Sequence, residues 1–281
     1  MSDREAFWRN KTAVVTGAGG ALGSAIAKEL DRRGARVALL GRSRDKLDVV
    51  ASTMGAAFPL SVDCIDAAAV ADAARTITAE LGAADFLVNA AGGNQAEAMT
   101  TLTEFDPAEL EGPLPDNGRG FFNLDLDRCL DVIAVNAMGT VIPCQVFGRD
   151  MARHGRGAIV NFASMNSYRP LSRVPAYAMA KAGIVNFTQW LAAYLASAGV
   201  RVNAVAPGFF INDRSRRILM DERGDPTSRG ERIIAHTPMR RFGEPRDLLG
   251  CVCWLLDDEQ AAFVTGITLP VDGGFLSSAG V

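Results

Sequence analysis

Residues 12–33 read TAVVTGAGGALGSAIAKELDRR: an apolar, β-branched run from Thr12 to Thr16, a turn holding four glycines, then a helical pattern from Ser24 to Arg33. Strand, tight turn and helix follow one another without a spacer. Working outward, short runs of the same kind recur at Arg36 to Leu40, Phe86 to Val88, Ala158 to Phe162 and Val200 to Ala206, each followed by a longer helical pattern. A helix between successive strands imposes parallel pairing through right-handed crossovers, so the sequence predicts an α/β doubly wound parallel sheet with helices on both faces. The chain has 281 residues, 48% of them hydrophobic, so one domain spanning 1–281 buries a sufficient core.

In such a sheet ligands sit at the carboxyl ends of the strands. Gly17, Gly20 and Gly23, with Leu22 between them, let the backbone approach a pyrophosphate closely. The following helix adds its free N–H groups and partial positive charge, as in a Rossmann-like dinucleotide site. At the end of the second strand, where an acid would accept from the adenosine ribose, the chain has Gly41-Arg42-Ser43. The guanidinium fork of Arg42 matches a ribose 2′-phosphate, which favours NADP over NAD; an exposed arginine opening the next helix is the plainer alternative.

Tyr177-Ala178-Met179-Ala180-Lys181 opens another predicted helix, with Tyr177 and Lys181 one turn apart on one face. A lysine cation beside a phenol is expected to lower its pKa toward working pH and make it a general acid/base for a carbonyl or alcohol oxygen. Ser164, at the end of the preceding strand, would meet the same oxygen from the other side. Asn136, inside an earlier helix, would bend it and hold a water that relays protons to Lys181. Each of these residues alone has an ordinary structural explanation; together, in this order, they point to hydride-transfer chemistry.

A net charge of −3 with no basic block excludes a nucleic-acid footprint. The five scattered cysteines read as reduced core thiols, and no metal site is expected. The charged start MSDREAFWRNK lacks the apolar run of a secretory leader, so a cytoplasmic protein is expected. Ala182 to Val200 and Val132 to Gly148 carry no charge, yet Asn186, Thr188, Gln189 and Ser197 argue against a membrane span. Such helices are expected to be buried on all sides, which suggests a homodimer or homotetramer packed through helices 129–154 and 176–198. Two segments break the strand-helix rhythm. Residues 94–126 carry seven acids against one arginine, an acidic insertion; residues 209–241 carry eight arginines and His236 against five acids, which suggests a lid over an anionic ligand.

TGAGGALG, Asn89-Ala90-Ala91-Gly92, Asn136, Ser164, Tyr177-x-x-x-Lys181, Pro207-Gly208 and Val271-Asp272-Gly273-Gly274 together resemble the short-chain dehydrogenase/reductase family over nearly the whole chain. The resemblance implies a catalytic tetrad of Asn136, Ser164, Tyr177 and Lys181. It places Asp63 at the adenine, Asn89, Ala90 and Gly92 beside the cofactor, Pro207 and Gly208 near it, and Lys181 with Tyr177 at the nicotinamide ribose. Ala21 departs from the glycine usual there. The strings NAAGGNQ, FFNLDLD, SMNSYRPLSRVPAY and IIAHTPM further resemble the D-mannonate oxidoreductase (fructuronate reductase) group, which implies NAD and a small acidic sugar substrate. Asn94, Gln95, Asn166 and Arg173 are then polar contacts, and at least one arginine among Arg173, Arg214 and Arg240 is expected to bind the carboxylate. A reductase of another carbonyl, such as a 3-oxoacyl thioester or sugar ketone, and a catalytically silent nucleotide sensor remain alternatives.

Overall fold

A computed structural model describes residues 7–278, apart from the side chains of residues 213 and 214. In chain order the elements are β1 (Thr12–Thr16), α1 (Ala21–Arg32), β2 (Arg36–Gly41), α2 (Arg44–Ala51), β3 (Ala57–Ser61), α3 (Ala67–Leu81) and β4 (Phe86–Asn89). After a long segment of short 3-10 turns come α4 (Leu126–Ile133), a π turn (Ala134–Met138), α5 (Gly139–His154), β5 (Gly157–Phe162) and α6 (Pro175–Leu195). The rest is β6 (Val200–Pro207), α7 (Asp213–Leu219), α8 (Ser228–His236), α9 (Arg246–Leu256) and β7 (Thr268–Val271).

The strands form one parallel sheet in the order β3-β2-β1-β4-β5-β6-β7. Alternation along each strand builds two cores. Val15, Val37, Leu39, Phe86, Val88 and Val160 face Ile26 and Leu30 of α1 and Leu248, Val252 and Leu255 of α9. Their neighbours Val14, Ala38, Leu40, Leu87 and Ile159 face Val70 and Ile77 of α3, Phe147 and Met151 of α5, and Leu191 of α6. Burial on both faces is what a parallel sheet covered by crossover helices requires. The strand order reverses beside β1, where Thr16 pairs with Asn89 of β4, and the crevice that ligands use opens above these two strand ends.

Five strands lie within a residue or so of their predicted positions, but β3 and β7 are additions. Each occupies an edge of the sheet and each contains a proline, Pro59 and Pro270. Proline donates no ladder hydrogen bond, so a run containing one reads weakly as strand, although an edge accommodates it.

The uncharged helices are not buried all round. Along α6 the buried residues Ala176, Ala180, Ile184, Thr188 and Leu191 form one stripe, while Met179, Trp190 and Tyr194 are exposed. Trp190 stacks on Tyr194 with ring centroids 5.1 Å apart. Leu126–His154 has the length and hydropathy of a membrane span, but Val132, Ile142, Phe147 and Met151 face the protein core.

Candidate active site

The turn after β1 is pressed against the loop after β4. Gly17 has φ +65°, and a Cβ there would lie 2.6 Å from the Ala90 carbonyl oxygen. A Cβ on Gly23 would run into the Gly17 carbonyl oxygen. Gly20 caps α1 without a side-chain hydrogen bond, which leaves the first-turn N–H groups open to an anion at that end of the helix. The Ala91 N–H donates to Thr16 Oγ1 at 3.2 Å, which ties the two loops together. Below them the buried Asn89 amide donates to Asn161 Oδ1 (2.9 Å) and Cys144 Sγ (3.2 Å), while its own Oδ1 has no partner. Leu22 packs on the core under the turn. This close-walled cradle with an uncapped helix end fits a dinucleotide pyrophosphate.

Arg42 is exposed after β2 and lines a depression with Ile65, Gly92, Asn94 and Gln95. Asp63 lies just past β3, its carboxylate accepting from the Ile65 N–H at 3.3 Å. At the opposite side of the crevice, Gly208 follows Pro207 at the end of β6 and donates to the Val271 carbonyl at 2.9 Å. A Cβ on Gly208 would come within 2.7 Å of Asp272 Cα, so these loops too are in backbone contact.

Ser164 follows β5 and caps a 3-10 turn, its hydroxyl accepting from the Asn166 N–H at 3.1 Å. Pro175 starts α6, which brings Tyr177 into the first turn with its phenol close enough to Ser164 for that side chain to act on it. Lys181, one turn on, is 3% exposed and donates from Nζ to the Phe162 carbonyl at 2.7 Å. Nζ is 5.8 Å from the Tyr177 ring centre. Asn136 sits at the centre of the π turn, where its Nδ2 donates to the Val132 carbonyl at 2.8 Å and to the Gly93 carbonyl at 2.6 Å. The widened turn leaves the Val132 carbonyl available, and the Asn136 side chain takes it. A Cβ on Gly92 would lie 2.6 Å from Asn136 Oδ1 and 3.4 Å from Lys181 Nζ, so the asparagine and the lysine border one glycine.

The expected sign of the phenol shift is reversed in this geometry. Burial holds the Tyr177 phenol above its ordinary range and outweighs the Ser164 side chain, which acts the other way. The Lys181 ammonium is turned toward the Phe162 carbonyl, and burial pushes it down to about 8. A lysine whose pKa falls on folding is protonated in the unfolded chain at pH values where the folded chain has lost the proton. Stability therefore rises with pH between about 8 and the ordinary lysine value. Wild type is expected to gain up to about 3 kcal/mol relative to Lys181→Met across that window. Urea unfolding of both proteins at a series of pH values checks this; a constant difference would place the lysine at its ordinary pKa.

Beyond Ser164 the chain turns back over the crevice. Asn166 is buried, its Oδ1 accepting from the Leu171 N–H at 2.7 Å while its Nδ2 has no partner. Arg173 adopts φ +75°, and its carbonyl accepts from the Thr100 N–H at 3.0 Å. It lines a cavity of about 270 Å³ with Phe209, Phe275, Arg229, Arg232 and His236. Arg240 lies apart, with its guanidinium on the Ala235 carbonyl at 2.8 Å, and the Arg214 side chain is outside the described residues. Arg229 and Arg232 of α8 were not singled out from the sequence. Their signal was there, since positions 229, 232 and 236 recur at helical spacing behind the cap Thr227.

A family model described as enoyl-(acyl carrier protein) reductase, of the short-chain alcohol dehydrogenase type, matches residues 17–276. An uncharacterized oxidoreductase of Bacillus subtilis, UxuB, is 43% identical over 275 residues, 96% of each chain. A Haemophilus influenzae protein provisionally named a D-mannonate oxidoreductase, solved with bound NAD, superposes with a TM-score of 0.90 at 40% identity over 97% of both chains. A Beutenbergia cavernae protein provisionally named an NAD(P)-dependent gluconate 5-dehydrogenase, solved with NADP, gives a TM-score of 0.77 at 33% identity, covering 96% of this chain and 98% of that one. The chain belongs to the short-chain dehydrogenase/reductase family and is an NAD(P)-dependent oxidoreductase acting on an alcohol or carbonyl group.

Proposed function

We propose that this enzyme interconverts a keto-uronate and an aldonate, D-fructuronate and D-mannonate, with Tyr177 as general acid/base. The observation that carries the chemistry is Tyr177, with Ser164 beside its phenol, over buried Lys181 at the mouth of a glycine-walled cradle. Bound NAD(P) supplies or accepts the hydride at the substrate carbon. Gly17, Gly20, Gly23 and the uncapped end of α1 hold its pyrophosphate. Arg42 and Asp63 border its adenosine end, and Gly92, Pro207 and Gly208 its nicotinamide end. Ser164 and Tyr177 both donate to the carbonyl oxygen, and the Tyr177 hydroxyl gives up its proton as that oxygen becomes an alcohol. Lys181 and Asn136, which meet at Gly92, return a proton to the phenol through a water on their side of the site.

The choice of an acidic sugar rests on the 40% identity with the Haemophilus protein and on the arginines gathered over the crevice. Keto-uronates and aldonates assayed with both nicotinamide cofactors at 340 nm test it. Activity on 3-oxoacyl thioesters or neutral ketones in preference to the acids would overturn the substrate, and no activity on any would favour a nucleotide sensor.

Arg42 favours NADP, whereas the Haemophilus protein holds NAD. Arg42→Asp is expected to move the NADP/NAD ratio of kcat/KM toward NAD by about 10- to 100-fold, the effect of exchanging a charge-assisted pair for a repulsion. An unchanged ratio would mean that Arg42 does not contact the 2′ position. The five free cysteines suit a reducing cytoplasm. The exposed Met179, Trp190 and Tyr194 of α6, with Met138 beside α5, supply the apolar faces for a homodimer or homotetramer.

A further inference from the structure

We propose that Arg173, Arg229 and Arg232, with His236 at the rim, form the receptor for the substrate's carboxylate, on the side of the crevice away from the pyrophosphate cradle. The proposal rests on the sugar-acid reading above and assigns the residues that would enforce it.

Four observations converge. First, among the described residues the cavity has cationic walls and no acidic one: Arg173, Arg229, Arg232 and His236 line it together with Phe209 and Phe275. Second, among the described residues these cations lack counter-charges. Several surface arginines pair within a turn, as Arg32 does with Glu29 or Arg153 with Asp150, whereas none of these three guanidiniums, though gathered at one cavity, is in an ion pair among the described residues. Arg173 Nε is buried without any hydrogen-bond partner. A buried, unpaired donor on a cation costs free energy that a bound anion would recover. Third, Arg229 is held below its usual guanidinium range by burial and then by the charges of Arg173 and Arg232, so the three fields overlap at one place. Fourth, Arg173 sits at φ +75°, an uncommon conformation for a residue with a side chain. The Thr100 N–H and the start of α6 hold it there. Such strain persists where surrounding structure imposes it, and it clusters at ligand clamps.

The place of the cavity identifies the ligand. The segments around it follow β4, β5, β6 and β7, with Thr103 coming from the long segment after β4, whereas the cradle for the cofactor phosphates lies at the turn from β1 into α1. Arg173 is four residues before Tyr177, which even fully extended is at most about 14 Å of chain. An anion held here is therefore on the molecule whose oxygen meets Tyr177. A carboxylate separated from the reacting carbon by several hydroxylated carbons fits, and the two forks of Arg229 and Arg173 match its two oxygens. Phe209 and Phe275, packed edge to face with centroids 5.4 Å apart, form an apolar wall that strengthens the charges beside it.

The test separates the receptor from the substrate assignment. Arg229→Gln and Arg173→Gln are expected to lower kcat/KM for D-fructuronate roughly 30-fold and for neutral D-fructose less than about threefold, with unchanged cofactor Kd. Arg229→Lys, which keeps the charge, is expected to recover part of the loss. In parallel, phenylglyoxal labelling of the wild type, read by peptide mass spectrometry, is expected to show Arg229 and Arg173 protected by D-mannonate and not by D-mannitol. Equal losses on acid and neutral substrates, or no protection by the acid, overturns the receptor. If the wild type turns over neither sugar but the arginines are protected by D-mannonate, the receptor stands and only the identity of the substrate falls.

Discussion

Tyr177→Phe is expected to lower turnover at least about 100-fold, a transition-state loss of about 2.7 kcal/mol, and to leave the cofactor Kd nearly unchanged. Phenylalanine keeps the ring that packs in the first turn of α6 and removes only the hydroxyl beside Ser164. Burial keeps that phenol protonated through neutral pH, so it enters carbonyl reduction already carrying the proton it must give. In alcohol oxidation the same group must first lose its proton, so the wild-type oxidation rate is expected to climb with pH into the alkaline range. A flat pH profile or near-normal turnover in the variant would remove Tyr177 from the chemistry and leave another group to supply the proton. Stopped-flow turnover in both directions, with cofactor affinity from fluorescence titration, gives both answers.

The parts of this molecule that the sequence announces are those set by local chemistry. The β1 turn, the crossovers and the Tyr177–Lys181 spacing depend on residues within a few positions of one another, and they stand where periodicity and glycine placement predicted. The misreadings share a tertiary cause. β3 and β7 are strands because a neighbour pairs with one side of them, which a proline-bearing run cannot reveal by itself. The outer face of α6 is exposed although no charge marks it. The sign of the Tyr177 shift depends on how deeply the phenol is buried and on the Phe162 carbonyl that engages Lys181.

The arginines show the same limit. Composition indicated a basic segment, but which guanidinium faces the crevice depends on the orientation of α8 and on the left-handed turn at Arg173. Arg240 also has positive φ, yet it folds back onto the end of α8 at Ala235. Charge counting cannot distinguish these two positions, whereas the structure does: Arg173 lines the cavity with Arg229 and Arg232, and Arg240 does not.

Gly23→Ala is expected to be the most damaging small substitution in the cradle. The new methyl would collide with the Gly17 carbonyl oxygen, a backbone atom that cannot rotate aside, and would also meet Ala18 Cα at 3.1 Å. Relief requires either lifting α1 off the turn or moving the turn itself. The turn is pinned from the other side, where the Gly17 α-carbon abuts the Ala90 carbonyl and the Ala91 N–H holds Thr16. Ile26 and Leu30 anchor α1 in the core one and two turns later, so the helix cannot slide without opening that packing. Overpacking of this kind costs about 1–3 kcal/mol of stability. Because the displaced atoms are the N–H groups that would face the pyrophosphate, the cofactor Kd is expected to rise on the order of 100-fold, as for the loss of one strong charge-assisted hydrogen bond. Gly19→Ala, whose methyl would come no closer than 3.1 Å to Lys46 Cβ and 3.8 Å to Leu47 Cδ2, serves as the control and should change both quantities far less. Thermal unfolding with and without NAD and NADP reads both effects. A Gly23→Ala variant with a wild-type melting temperature and the full cofactor-induced shift would show that the helix start is not where the dinucleotide is held.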